Sequence, residues 1–114
     1  MRYSHIPIFQ KTYVLTVDIY KTTGNFKKEY KYTLGEKLKL ICHDLLELIV
    51  IVNTAEDKLR PLKRLNNELE NLRIHLRLAF DLKAISRGKL GELNRQIEEI
   101  GKQIGGWQKW AAKK

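Results

Sequence analysis

Residues 59–85 carry apolar side chains at helical spacing on two faces of one helix. The first stripe covers roughly 100° of the helix surface and contains Leu62, Leu65, Leu69, Leu72, Leu76, Ala79 and Phe80. The second stripe lies on nearly the opposite side and contains Ile74, Leu78, Leu82 and Ile85. One stripe is sufficient to bury a helix in a small bundle. We therefore predict a helix over 57–85 whose second stripe is an oligomer interface.

Size and charge narrow the classes of function that are open to the chain. With 114 residues, we predict one domain over 1–114, with a loose arm at 1–7 and a frayed basic tail at 111–114. The formal net charge is +9, and so basic a small domain favours a polyanionic partner. Nucleic acid, an anionic membrane surface and an acidic protein all fit that description, and a purely solubilising charge is the plainest alternative.

Two further helices have clear local signals. Thr33 and Glu36 have the spacing of a capping box, which predicts a helix start at Leu34 and a helix to about Asn53. The core stripe of this helix contains Leu34, Leu38, Ile41, Leu45, Leu48 and Val52, although 48–52 alone would also suit a buried strand. Ser86 is the predicted cap of the last helix, whose stripe contains Leu90, Leu93, Ile97, Ile100, Ile104, Trp107 and Ala111.

Residues 8–22 are ambiguous on pattern alone. Apolar and polar residues alternate around Tyr13–Ile19, and the β-branched content is high, which favours a half-buried strand. A single strand among helices, however, has no partner to pair with. Three firm helices, and a fourth if 8–22 is helical, predict an all-α, up-down-up-down four-helix bundle.

The residues give little support to catalysis, and we expect a protein that is not an enzyme and that holds no cofactor or metal. Cys42 is the only cysteine, and its neighbour His43 points about 100° away on a helix, so the two do not form a thiol–base pair. His43 and Glu47 have metal-ligand spacing but are too few to hold an ion. The chain contains no phosphate-binding or dinucleotide-binding loop. The single cysteine and the absence of an apolar signal segment predict a reducing, cytoplasmic location.

Two basic groups are the candidate phosphate contacts. The first is the connector before the second helix, where Lys27, Lys28, Lys31 and Lys37 interleave with Tyr30 and Tyr32, two candidates for stacking on unpaired bases. The second group lies on the third helix and contains Arg60, Lys63, Arg64, Arg73 and Arg77. Arg73 and Arg77 are also at ion-pair spacing from Glu70 and Asp81, and each such pair contributes only about 0.2–0.5 kcal/mol. A paired, solvated surface is therefore the alternative reading of those two arginines.

Three segments resemble one known family. Residues 26–38, Phe-Lys-Lys-Glu-Tyr-Lys-Tyr-Thr-Leu-Gly-Glu-Lys-Leu, are similar to the connector of the accessory variability determinant (Avd) proteins of diversity-generating retroelements. Residues 76–83, Leu-Arg-Leu-Ala-Phe-Asp-Leu-Lys, resemble the end of their third helix, and residues 99–107, Glu-Ile-Gly-Lys-Gln-Ile-Gly-Gly-Trp, resemble their closing segment. The wider family includes proteins encoded in intervening sequences of 23S ribosomal RNA genes. Lys27 stands where many members have proline, and the Asn-Ile-Ala-Glu-Gly signature of the intervening-sequence branch is absent.

The resemblance implies properties that the residues alone do not establish. It implies a four-helix bundle that assembles into a homopentameric barrel, and it favours a helix over a strand at 8–22. It also implies a basic surface that binds RNA or DNA and a reverse transcriptase partner. The alternative is a protein-interaction scaffold, or an intervening-sequence-encoded protein, with no direct nucleic-acid role.

Overall fold

Four long helices form the bundle in the computed structural model, which describes residues 2–113. They are α1 (Pro7–Thr23), α2 (Leu34–Thr54), α3 (Leu59–Asp81) and α4 (Arg87–Ala112). Consecutive helices pack on each other, and α1 also packs on α4, so the bundle is closed and runs up-down-up-down. Its extents are 47 × 21 × 20 Å. No strand occurs in 2–113, which confirms the all-α prediction.

The core consists of the stripes that the sequence indicates. All six predicted α2 positions are buried, as are the α3 leucines of the first stripe. In α4 the centre of the stripe is buried, whereas Leu90, Trp107 and Ala111 pack against the core from its edges. Residues 48–52 continue α2 as a helix, so the strand alternative there is wrong.

Helix α1 resolves the ambiguity at 8–22 in favour of a helix. The buried positions include Ile8, Thr12, Leu15, Thr16 and Ile19, which recur every three or four residues. The hydroxyls of Thr12 and Thr16 each donate to the carbonyl four residues earlier, at 2.8 Å, so these polar side chains are buried without an unsatisfied group. The apparent strand pattern arises because threonines face the core while tyrosine and valine face outward.

The predicted capping box at the start of α2 is wrong. Thr33 makes no side-chain cap to the helix; its hydroxyl instead donates to the Glu29 carbonyl at 2.9 Å. Glu36 pairs with Lys39 at 2.8 Å. The preceding residues form a one-turn helix (Lys28–Lys31), and the Thr33 hydroxyl closes that turn in place of capping the next.

Helix α3 ends four residues earlier than predicted. The amides of Lys83 and Ala84 donate to the carbonyls of Phe80 and Ala79 at 2.9 and 2.8 Å, with Lys83 at φ 63°, which is the Schellman termination. The chain therefore leaves the helix before Ile85. The Ser86 cap is confirmed, because its hydroxyl accepts the Lys89 amide at 3.0 Å.

Both ends of the described chain contain helical turns. A 3-10 turn covers Tyr3–His5, the rings of Tyr3 and Phe9 are in edge contact at 4.9 Å, and the Gln10 amide donates to the Ser4 carbonyl at 3.3 Å. These contacts place the arm against the start of α1, while its predicted looseness stays a prediction. At the other end the helix continues to Ala112; Met1 and Lys114 lie outside the described residues.

Candidate nucleic-acid interface

The connector between α1 and α2 is held by two aromatic side chains. Phe26 is buried and Tyr30 is half-buried against the core. The Lys27 carbonyl accepts the amides of Tyr30 and Lys31 at 2.9 and 2.8 Å, which starts the one-turn helix. Gly35 lies close to this turn: a Cβ there would be in ordinary van der Waals contact with the Tyr30 carbonyl oxygen, at 3.4 Å. The anchored aromatics leave the intervening lysines on the outside.

The connector lysines form no ion pair within 4 Å among the described residues, although Lys37 is near enough to Glu68 to act on its carboxyl group electrostatically. Lys27, Lys28 and Lys37 are exposed and Lys31 is partly exposed. In residues 2–113, no carboxylate oxygen lies within 4 Å of these four amino groups. Since none of these ammonium groups is in a direct ion pair, a phosphate can bind without breaking one.

The two predicted stacking residues differ in availability. Tyr30 is half-buried and packs against the core, so less of its ring is open to a base. Tyr32 is 64% exposed and lies at the end of the same turn. Stacking at this end of the bundle therefore depends on Tyr32.

The basic residues of α3 do not form one surface with the connector. The start of α3, with Arg60, Lys63 and Arg64, lies at the far end of the bundle, because a 23-residue helix spans about 34 Å at 1.5 Å per residue. Arg73 pairs with Glu70 at 2.7 Å and Arg77 pairs with Asp81 at 3.2 Å. The structure thus separates the predicted site residues into a connector group, a distal group and two paired arginines.

The loop between α3 and α4 adds basic residues that the sequence argument did not include. Lys83 and Arg87 are exposed at the connector end of the bundle. Lys21 lines a surface cleft with Asn25 of the connector and with the loop residues Ala84–Ser86, which shows that the two segments are neighbours. Both residues are visible in the sequence. The predicted helix ran to residue 85, however, and so placed Lys83 on a helical surface instead of in the loop where it lies. We call Lys21, Lys27, Lys28, Lys31, Lys37, Lys83 and Arg87 the connector-end basic surface.

One ion-pair network braces the bundle beside that surface. The Asp18 carboxylate accepts from Lys89 at 2.7 Å and from Gln96 at 2.9 Å, which ties α1 to α4. Burial acts to raise the pKa of Asp18, but the hydrogen bonds and the charge of Lys89 outweigh it, so the pKa lies below its usual value of 3.8. Lys89 is therefore a structural cation and is not counted with the free lysines.

Three of the four residues of the predicted oligomer interface lie on the surface of the bundle. Ile74, Leu78 and Leu82 are exposed, as an unpartnered stripe requires. Ile85 is buried in the bundle's own core, so its assignment to the interface is wrong; the Schellman turn redirects it inward. Leu40 on α2 is also exposed.

Cys42 and His43, the residues that could support catalysis, lie in surroundings that do not activate them. Burial raises the pKa of the Cys42 thiol to about 12, so the thiolate is scarce at neutral pH. The Nε2 atom of His43 is hydrogen-bonded to the Tyr20 hydroxyl at 2.7 Å. Among residues 2–113, no three His, Cys, Asp or Glu side chains come together as a metal site would require. The same residues include no helix that is long and apolar enough to span a bilayer.

A family model described as bAvd-like matches residues 7–111. That range begins at the first residue of α1 and ends one residue before the end of α4, so it covers the whole bundle. Comparison with curated proteins found no match.

Proposed function

Because the chain belongs to the bAvd-like family, we propose that it is a non-enzymatic accessory protein of a diversity-generating retroelement. In this role it binds nucleic acid through phosphate contacts and partners a reverse transcriptase. The observation that supports the nucleic-acid part is the connector-end basic surface. Like charges gathered at one end of a small domain repel one another, and a polyanion relieves that repulsion.

The proposed contact is electrostatic and tolerant of sequence. Lysine is a point charge that binds phosphate without selecting among bases. An unpaired base stacks on the exposed ring of Tyr32, which adds affinity for single strands without adding base selectivity. We therefore expect the protein to prefer single-stranded over double-stranded nucleic acid and to discriminate weakly among sequences.

Two charge-reversal variants, one at the connector and one at the distal end of the bundle, test the site. The triple variant Lys27→Glu, Lys28→Glu, Lys31→Glu should weaken binding to all sequences alike. Its slope of log affinity against log salt should fall by about 2 for single strands, from about 0.7 per lost phosphate contact. The matched control changes Arg60, Lys63 and Arg64 to Glu, which alters net charge equally at the distal end. Equal losses in the two variants would show that net charge, and not the connector, determines binding.

A third variant tests the paired arginines separately. Arg73→Glu with Arg77→Glu replaces two cations that already have carboxylate partners, so we expect a smaller loss than for the connector variant. A larger loss would move the site to the edge of α3. Affinities are measured by fluorescence anisotropy with labelled RNA and DNA of the same sequence.

We also propose that the protein is a homo-oligomer, with the pentamer as the assembly that the family resemblance implies. The exposed aliphatic residues of α3 support association, because a row of such residues is a poor monomer surface. Light scattering on the wild-type protein should give a mass of several chains. A monomer at micromolar concentration would contradict this part.

The alternative function is a protein-interaction scaffold, or an rRNA intervening-sequence-encoded protein, without a nucleic-acid role. The exposed Ile74 and Leu78 favour a protein partner as much as they favour self-association. A reverse transcriptase gene beside this one would support the retroelement role. A location within a ribosomal RNA gene would support the alternative.

A further inference from the structure

Three aromatic side chains cluster where the N-terminal arm meets helix α1. The ring of Phe9 is in edge contact with that of Tyr3, with centroids 4.9 Å apart, and its centroid lies 6.3 Å from that of Tyr13. Phe9 is half-buried against the core, so it fixes the cluster on the bundle. The rings of Tyr3 and Tyr13 reach solvent, with 44% and 56% of these residues exposed. We call Tyr3, Phe9 and Tyr13 the aromatic cluster.

An open hollow of about 380 Å³ lies beside this cluster. Phe9, Tyr13 and Val14 form its apolar lining, and Ser4 and Gln10 complete it. The side-chain amide of Gln10 donates to the Ser4 carbonyl at 3.3 Å, so these two polar groups hold the arm against α1. A ligand in the hollow is therefore bound mainly by contact with aromatic and aliphatic surfaces.

The charge around the cluster is positive. Arg2 and Lys11 are exposed and form no ion pair within 4 Å among the described residues. Asp18 is the one acidic residue in 1–28, and its carboxylate is engaged in the ion-pair network between α1 and α4. Glu99 of α4 lines the groove beside Lys11, but it pairs with a lysine of its own helix at 3.6 Å. Cations beside exposed rings favour an anionic ligand with an aromatic part.

The cluster is separate from the surfaces described above. It lies at the start of α1, whereas the connector follows the end of that helix, about 25 Å away for 17 residues at 1.5 Å each. Helices α1 and α3 each pack on α2 and α4, so they occupy opposite corners of the bundle. A partner on the exposed aliphatic stripe of α3 therefore does not cover the cluster.

An unpaired nucleic-acid base accounts for the rings and the cations together. A base has a flat face that stacks on a tyrosine ring whatever the sequence, and its sugar–phosphate chain brings negative charge to the cations beside the ring. An apolar peptide would use the rings but leave Arg2 and Lys11 without a role. Rings set among cations are the composition by which proteins bind single strands.

We propose that the aromatic cluster is a second contact for single-stranded nucleic acid, in which bases stack on Tyr3 and Tyr13 while Arg2 and Lys11 contact the adjoining phosphates. The proposal rests on the proposed nucleic-acid binding and adds to it a contact with bases. The connector lysines contact phosphates alone, so the cluster makes the protein favour a strand that carries bases over a bare backbone. One strand that runs along α1 reaches both contacts.

Substitution of the two exposed tyrosines tests the stacking. The probes are a long thymidine oligomer and an abasic oligomer of the same length, each carrying a fluorescent label for anisotropy. Tyr3→Leu with Tyr13→Leu should weaken binding to the thymidine oligomer by about tenfold or more and leave the abasic oligomer unchanged, because only stacking is lost. Tyr3→Phe with Tyr13→Phe is the matched control: it keeps both rings and should bind both probes as the wild type does.

The outcomes separate the proposal from the function on which it rests. Unchanged binding of the thymidine oligomer by the leucine variant would overturn the stacking contact and leave the connector site standing. Equal losses in the leucine and phenylalanine variants would overturn it as well, since the rings would not be what binds. A wild type that binds neither probe would refute the nucleic-acid function itself. Circular dichroism checks that each variant is folded, and Tyr13→Leu alone serves if the double variant is not.

A charge variant tests the phosphate part of the contact. Arg2→Gln with Lys11→Gln should reduce the slope of log affinity against log salt by about 1.4 for both probes, from about 0.7 per lost contact with a single strand. The matched control, Arg60→Gln with Lys63→Gln, removes the same charge from α3 at the opposite corner of the bundle and should change the slope less. Equal changes in the two variants would remove Arg2 and Lys11 from the contact.

Discussion

Replacing Lys58 should destabilise the bundle although this lysine makes no ion pair within residues 2–113. The Lys58 ammonium donates to the carbonyls of Val52, Asn53 and Ala55 at 2.9, 3.2 and 2.9 Å. The last carbonyls of a helix have no partner within the helix. Lys58 therefore closes the end of α2 and fixes the short loop that leads into α3.

The size of the effect follows from the geometry. A cation at a helix C-terminus contributes about 0.3–1 kcal/mol, and up to about 2 kcal/mol when it is partly buried. Because Lys58 makes three hydrogen bonds and its side chain is partly buried, its contribution should be at the upper end of this energy range. Water reaches the carbonyls after the change, so the three bonds do not add in full. We expect Lys58→Met to lower the free energy of unfolding by about 2 kcal/mol, or about 8 °C in melting temperature for a domain of this length.

Urea unfolding followed by circular dichroism measures the change. Both proteins are compared at one concentration, because association also stabilises the folded state. Lys63→Met is the matched control: it removes the same charge from an exposed position, and its effect should stay within about 0.5 kcal/mol. Equal small effects in the two variants would show that the carbonyls are as well satisfied by water, and the reasoning would fail.

Three further changes have expected outcomes. Lys83→Gly should raise stability by about 0.5–1 kcal/mol in a thermal melt, because glycine adopts the left-handed conformation without strain. Glu68→Gln should stabilise the protein at pH 7 but much less near pH 4.5. The pKa of the Glu68 carboxyl is raised in the folded protein. Glu68 therefore contributes stability at pH values below its unfolded pKa, and this contribution is lost as the pH rises through its folded pKa. Asp18→Asn should lower the stability at neutral pH and have less effect at acidic pH. The lowered pKa of Asp18 contributes stability above the unfolded value that is lost as pH falls through the folded value, so urea titrations of the variant should show a flatter acid limb.

The core and the number of helices were predictable because burial repeats with the helical period. In α2 every stripe residue is buried, and in α3 the first stripe is buried from Leu62 to Ala79. The strand-like signal of α1 misled because Thr12 and Thr16 satisfy their hydroxyls within the helix. That internal bond lets polar residues occupy core positions, and a hydropathy pattern does not register it.

Helix ends and surface groupings were less predictable. The capping residues Thr33 and Glu36 have other partners in the folded chain, and a lysine takes the left-handed position at the end of α3, where glycine is the usual signal. The candidate phosphate contacts stay a prediction, and their grouping depends on which ends of the bundle come together. Only the fold shows that Lys83 and Arg87 join the connector while Arg60, Lys63 and Arg64 do not.

The salt dependence of nucleic-acid binding by the unmodified protein tests the central claim most directly. Affinity for single-stranded RNA and DNA is measured between about 50 and 200 mM salt. Contacts through the connector lysines predict measurable binding at low salt, little dependence on sequence, and a steep linear fall of log affinity with log salt. Absence of binding to either nucleic acid at low salt would contradict the claim and leave the scaffold function as the better account.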